Sequence, residues 1–122
     1  MLPHERFDAW RACHDLWLAI YAATLRWPAV ERYVLTSQIK RASLSAPANI
    51  AEGAAKRGPR DFARHLNIAL GSLGEVAYLL RAARDPGIIS EGEYNRLFQV
   101  QQKASRLAML LYKAVRNSAN RG

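Results

Sequence analysis

LTSQIKRASLSAPANIAEG, residues Leu35 to Gly53, reads as one helix with a proline inside it. Leu35, Ile39, Ala42, Ala46, Ile50 and Gly53 recur at the three-and-four spacing of a single helix face. Pro47 falls within that face. It has no N–H for the Ser43 carbonyl, and its ring crowds the preceding turn, a cost of about 3 kcal/mol in a helix interior. The pattern resumes at Asn49 and Ile50, which predicts a bend in this helix and not a stop. Ser43, Ser45 and Asn49 are the side chains placed to satisfy the freed carbonyl. The facing residues are mostly Ala, Ser and Gly, small enough to let another helix come close.

Working away from this stretch, three more helices appear. The first is predicted over 7–25, with one stripe of Phe7, Trp10, His14, Trp17, Tyr21 and Thr24. A second stripe holds Ala9, Cys13, Leu16, Ile20 and Ala23. Burial against one core needs an apolar arc of only about 100°, so this helix has apolar surface to spare. Trp27-Pro28 ends it, because the residue before proline avoids the helical region. The proline-bearing helix is predicted over 36–56, with Glu52 and Lys56 as an i,i+4 pair. Gly58-Pro59 then opens a third helix over 59–84, Pro59 sitting where its missing N–H goes unused. Phe62, Leu66, Ala69, Leu73, Val76 and Leu80 form its core face. Gly71 and Gly74 predict close backbone approach to the small face of the helix before it. Asp85-Pro86-Gly87 is a turn. Ser90 and Glu93 form a capping box for a fourth helix over 90–116. Leu97, Val100, Ala104, Leu107, Leu111 and Ala114 give it a regular apolar repeat, and Phe98, Ala108, Tyr112 and Val115 add a second side. Asn117 to Gly122 are expected to fray. Short links between long helices predict one all-α domain over 1–122, an antiparallel up-down-up-down four-helix bundle.

Several segments also match a known pattern. Ser45-Ala46-Pro47-Ala48-Asn49-Ile50-Ala51-Glu52-Gly53 resembles the S-x-P-x-N-I-A-E-G signature of the 23S rRNA intervening-sequence proteins, a family of four-helix bundles. Leu35 to Ala42 and the later Ala69-Leu70-Gly71-Ser72-Leu73 are similar to further runs of that family, with Gly74 standing where Ala is expected. The resemblance marks Ser45, Pro47, Asn49, Glu52 and Gly53 as the structural motif. It also implies a ring-shaped homopentamer, similar to the accessory proteins of diversity-generating retroelements, which partner a reverse transcriptase and RNA.

Composition narrows the classes of function. The 122 residues hold 18 Lys plus Arg against 10 Asp plus Glu, a formal charge of +8. Such an excess favours a polyanionic partner, though solvated surface charge explains it equally well. The lone Cys13 excludes an internal disulfide and a cysteine-based zinc cluster. No run approaches the roughly 20 apolar residues of a membrane span, and the opening residues lack a signal peptide's apolar core. The expected compartment is the cytoplasm.

No catalytic constellation stands out. His4 lies in the lead-in, His14 reads as a hydrogen-bonded core histidine, and His65 as half of a surface pair with Asp61. Two potential ligands with no third make no metal site. Asn49 and Glu52 adjoin the bend and read as its cap and lock. Neither a cofactor nor a resident metal is expected, and the chain is read as non-enzymatic. The basic residues say more. Lys56, Arg57, Arg60 and Arg64 cluster around the link between the second and third helices. Residues 94–122 contain no acid, and there Arg96, Lys103, Arg106 and Lys113 follow helical spacing along an unopposed stripe. Such a surface suits phosphates, which position a nucleic acid without reading its bases. The expected function is therefore an oligomeric bundle that binds RNA or DNA with little sequence preference. The alternative is a protein-interaction scaffold, such as an accessory subunit of a reverse transcriptase or another nucleic-acid enzyme.

Overall fold

Prolines and glycines punctuate the chain where its helices begin and end. A computed structural model describes residues 1–121. A short 3₁₀ turn, Pro3–Arg6, leads into helix α1, Asp8–Thr24. Past Trp27-Pro28, a 3₁₀ turn at Ala29–Glu31 and one wide π-type turn at Arg32–Thr36 feed directly into α2, Ser37–Ala54. Helix α3 spans Pro59–Arg84, with Pro59 at its first position. Helix α4 spans Glu91–Arg121. No strand occurs among the described residues.

Each helix packs against two others, α1 and α3 both lying between α2 and α4. Paired residues fix the directions. Ser45 meets Ser72 and Asn49 meets His65, so α3 descends as α2 rises. Leu73 meets Gln101 and Arg84 meets Glu91 across α3 and α4. Arg26 meets Glu93, while Asp8 and Asp15 share a groove with Lys103 and Arg106, across α1 and α4. Lys40 lies over the Tyr21 ring across α1 and α2. The core between them is built from Leu16, Ile20, Ile39, Ile50, Leu66, Leu73, Leu80 and Leu97, all fully buried.

Of the two apolar stripes on α1, Ala9, Cys13, Leu16, Ile20 and Ala23 enter the core. Trp10, His14 and Trp17 lie half-buried on the flank, and Tyr21 is exposed. His14 is thus not a core histidine; its ring stacks on Trp10 at 5.0 Å. The second apolar side of α4 is consumed inside the bundle, where Ala108 is buried and Phe98, Tyr112 and Val115 pack against the core. Ala114 is exposed.

Other expectations need correction. Helix α4 does not fray after Arg116 but continues to Arg121, since no glycine or proline interrupts that segment before Gly122, which lies outside the described residues. Only half of the capping box forms: the Glu93 amide donates to Ser90 Oγ, while the Glu93 carboxylate turns to Arg96. Gly71 and Gly74 are exposed, with open space where a Cβ would go. The close approach is instead at Gly53.

Helix α2 runs without interruption through the buried Pro47. Asn49 Nδ2 donates to the Ser45 carbonyl at 2.9 Å, two residues beyond the carbonyl that Pro47 leaves free. Ser43 Oγ donates to the Lys40 carbonyl.

Candidate nucleic-acid interface

At the end of the bundle where α2 stops and α3 starts, the chain reverses over four residues. Gly58 takes φ +89° there, a left-handed conformation that suits glycine. This reversal holds Lys56, Arg57 and Arg60 at one exposed end, with Arg64 one turn into α3. The Pro3–Arg6 turn and the C-terminal part of α4 reach the same end. Between these elements lies a groove of about 350 Å³, lined in part by Arg6, Phe7, Lys56, Phe62, Val115 and Ser118. Phe7 and Phe62 both line it, with ring centroids 5.4 Å apart. Sequence reading missed Arg6 here. It is fifty residues from Lys56 in the chain, and only the fold brings the two together.

Carboxylates are distributed unevenly over the bundle. At the opposite end Arg26 lies 3.6 Å from Glu93, Arg84 3.1 Å from Asp85 and Arg81 3.8 Å from Asp85. Arg84 also reaches Glu91 at 3.9 Å. Among the described residues, neither Arg6 nor Lys56, Arg57, Arg60 or Arg64 has a carboxylate within 4 Å. Ion pairing is therefore uneven: Arg26, Arg81 and Arg84 are paired at one end, where Arg32 is not, and the cluster at the other end has no paired cation among the described residues. The Glu52–Lys56 pair does not form; Glu52 Oε2 turns toward His65 Nδ1, at 3.9 Å.

The α4 stripe is opposed at Arg96. Arg96 grips Glu93 through two hydrogen bonds, at 3.0 and 2.8 Å. These bonds hold the Glu93 carboxyl below its ordinary range and push the Arg96 guanidinium up. Lys103 and Arg106 line a groove of about 270 Å³ against α1, shared with Asp8, Arg11 and Asp15. Lys103, Arg106 and Lys113 are all exposed, and none has a carboxylate within 4 Å among the described residues; Lys113 lies outside that groove. The acid-free segment thus meets one acid of its own helix, Glu93, at Arg96, and shares a groove with Asp8 and Asp15 of α1.

Behind the basic end, α2 and α3 are locked by a polar chain. Ser72 Oγ donates to Ser45 Oγ at 2.9 Å, and Asn49 Nδ2 lies 3.1 Å from the same oxygen. Asn49 Oδ1 lies 3.1 Å from His65 Nδ1, and Arg64 Nη2 lies 3.3 Å from His65 Nε2. His65 is only 4% exposed, so it is no surface partner of Asp61. Gly53 makes this seam possible: a Cβ there would sit 2.7 Å from His65 Cβ. Ser45, Asn49 and Gly53 of the motif are therefore contacts between helices, and Pro47 is packed in the core beneath them. Gln101 is a further buried polar group that sequence reading missed; its Nε2 donates to the Leu73 carbonyl at 2.9 Å.

No group of three or more His, Cys, Asp or Glu capable of holding a metal occurs among the described residues. No helix of the described residues is long and apolar enough to cross a membrane.

Comparison with known proteins gives two findings. A family model described as 23S rRNA-intervening sequence protein matches residues 5–110. A crystal structure of a protein of unknown function from the S23 ribosomal protein family of Bacteroides thetaiotaomicron superposes with a TM-score of 0.80. That alignment covers 86% of this chain and 95% of the other at 23% identity, a likeness of fold. Among curated proteins none matches.

Proposed function

The chain belongs to the 23S rRNA-intervening sequence protein family, and from that premise we propose a non-enzymatic, oligomeric bundle that binds RNA or DNA through its basic end. The observation that carries this reading is the uneven ion pairing. Lys56, Arg57, Arg60 and Arg64 stand exposed with no carboxylate within reach among the described residues, while Arg26, Arg81 and Arg84 at the far end are paired. Unneutralised cations on one pole raise the local potential and steer a polyanion there. Contacts of this kind grip phosphates and leave base edges unread, so sequence preference is low. The family's description supports RNA as the first ligand to test.

A second reading, a scaffold or accessory subunit docking onto a nucleic-acid enzyme such as a reverse transcriptase, draws on exposed apolar side chains. Tyr33 and Val30 are 85% and 81% exposed in the link before α2. The same surface serves self-association, and the family resemblance makes a homopentamer the assembly to look for.

A salt titration separates the readings. Fluorescence anisotropy with labelled single-stranded RNA should give an affinity that falls with salt, with a log–log slope near −0.7 per phosphate contacted. Changing Lys56, Arg57, Arg60 and Arg64 together to Gln should flatten that slope, bringing it roughly 0.7 closer to zero for each lost contact. Changing Arg96, Lys103 and Arg106 to Gln should cost less, since Glu93 already holds Arg96, and Lys103 and Arg106 share their groove with Asp8 and Asp15. Failure to retain any nucleic acid at low salt would remove the first reading and leave the docking one.

A further inference from the structure

The polar chain between α2 and α3 ends on the basic surface, and its geometry dictates where each proton sits. Asn49 Nδ2 faces the Ser45 carbonyl, which only accepts hydrogen bonds, so the amide nitrogen is fixed on that side. Asn49 Oδ1 then faces His65 Nδ1 at 3.1 Å and must accept. His65 Nδ1 therefore donates, and the lone pair is left on Nε2. That lone pair lies 3.3 Å from Arg64 Nη2, a group that only donates. The one carboxylate near the ring is Glu52, 3.9 Å from the nitrogen already committed to Asn49. Arg64 and Glu52 are the charged groups within 4 Å of the ring nitrogens.

We propose that His65 is a positioning residue, which holds the Arg64 guanidinium ready for phosphate while Asn49 sets its tautomer. This rests on the nucleic-acid reading above. The ring is 4% exposed, but Arg64 is exposed, so a buried acceptor tethers a surface cation. Arginine carries considerable rotamer freedom, and a held guanidinium loses less of it on binding. One of its five N–H groups goes to His65, which leaves the rest of the fork for phosphate oxygens. The conspicuous Asn49 of the motif thus acts on the surface through one intermediate side chain.

Two measurements test this. The ring nitrogens of His65 in the free protein should show, by ¹⁵N NMR at neutral pH, a protonated Nδ1 and a bare Nε2. The opposite tautomer, or an imidazolium, overturns the proposal whatever any nucleic acid does. The second is a double-mutant cycle with labelled single-stranded RNA at fixed low salt. His65→Asn keeps an amide near the Nδ1 position but removes the acceptor for Arg64, and should weaken binding roughly three- to tenfold. His65→Gln, which reaches toward the Nε2 position, should restore most of that loss. In an Arg64→Gln background, His65→Asn should change nothing further. Equal weakening in both backgrounds means a purely structural histidine and overturns the proposal, while RNA binding itself stands. A wild-type protein that binds no RNA brings down both readings. Thermal melts by circular dichroism confirm that each variant is folded.

Discussion

A methyl group at position 53 would lie 2.7 Å from His65 Cβ and 2.9 Å from Phe62 Cδ1, closer than packed carbons come. Gly53→Ala should therefore force α2 and α3 apart and destabilise the bundle by about 1–3 kcal/mol, the usual cost of overpacking. Gly71→Ala and Gly74→Ala have the opposite sign. Both sites are exposed mid-helix with open space around the added carbon, so each should stabilise by about 0.4–1 kcal/mol. Urea melts of the three variants check the reversal. The small face of α2 that ends in Gly53 was legible as the place of close approach, but Gly71 and Gly74 were not its partners, because a period shows which residues share a face and not how near the neighbouring helix comes. Cys13 gives a second test. Burial pushes its thiol from 9.0 up to about 12. The unfolded chain then releases this proton at a lower pH than the folded one. Stability from this group is complete below about pH 9 and is lost as pH rises toward 12. The difference in unfolding free energy between wild type and Cys13→Ala should change by about 1.4 kcal/mol per pH unit across that window. A parallel pair of curves would show that the thiol is not shielded.

The seam between α2 and α3 distinguishes what one helix can announce from what needs two. Helix α3 begins and ends where the sequence reading placed it, at Pro59 and Arg84. Proline and glycine act through their own backbones, so their effect needs no partner. The bond between Asn49 and His65 spans sixteen residues, and no local pattern encodes it. For the same reason the basic cluster at Lys56, Arg57, Arg60 and Arg64 could be read from adjacent residues, but its relation to Arg6 could not. Nor could the acids of α1 that face Lys103 and Arg106. The seam also predicts a hierarchy. Asn49→Ala removes the acceptor for His65 Nδ1 and leaves a buried donor unpaired, at a cost of about 1–3 kcal/mol. Ser72→Ala removes a single hydroxyl that donates to Ser45 and should cost about 0.5–1.5 kcal/mol. Chemical denaturation would rank them. If Ser72→Ala proved the more damaging, Asn49 would not be the centre of the lock.

Charge and apolar surface make opposite demands on the bundle as one body. Formal charge is +8, and gathering several copies raises the repulsion among them. Yet Leu18 and Tyr21 on α1 and Leu25 just past its end, spaced three and four apart, are 52%, 46% and 73% exposed. Val30, Tyr33 and Val34 add to this surface in the link to α2, at 81%, 85% and 65% exposed. Leu25 also borders a groove of about 460 Å³ with Pro28, Ala29 and Arg32, which joins the end of α1 to that link. Apolar surface of this kind favours burial against another copy, at about 25 cal/mol for each Å² removed from water. Salt then acts with two signs. Screening weakens repulsion between copies, so raising salt should strengthen self-association while it weakens nucleic-acid binding. Sedimentation equilibrium at tens of micromolar protein, in about 50 and about 500 mM salt, should show an assembly that grows more complete at the higher value. Val30→Asp together with Tyr33→Asp should shift it toward single chains and leave the helical circular dichroism intact. A wild-type protein that sediments as a 13.7 kDa species in both salts would mean that these side chains meet no second copy. A docking partner of different sequence would then be their remaining use.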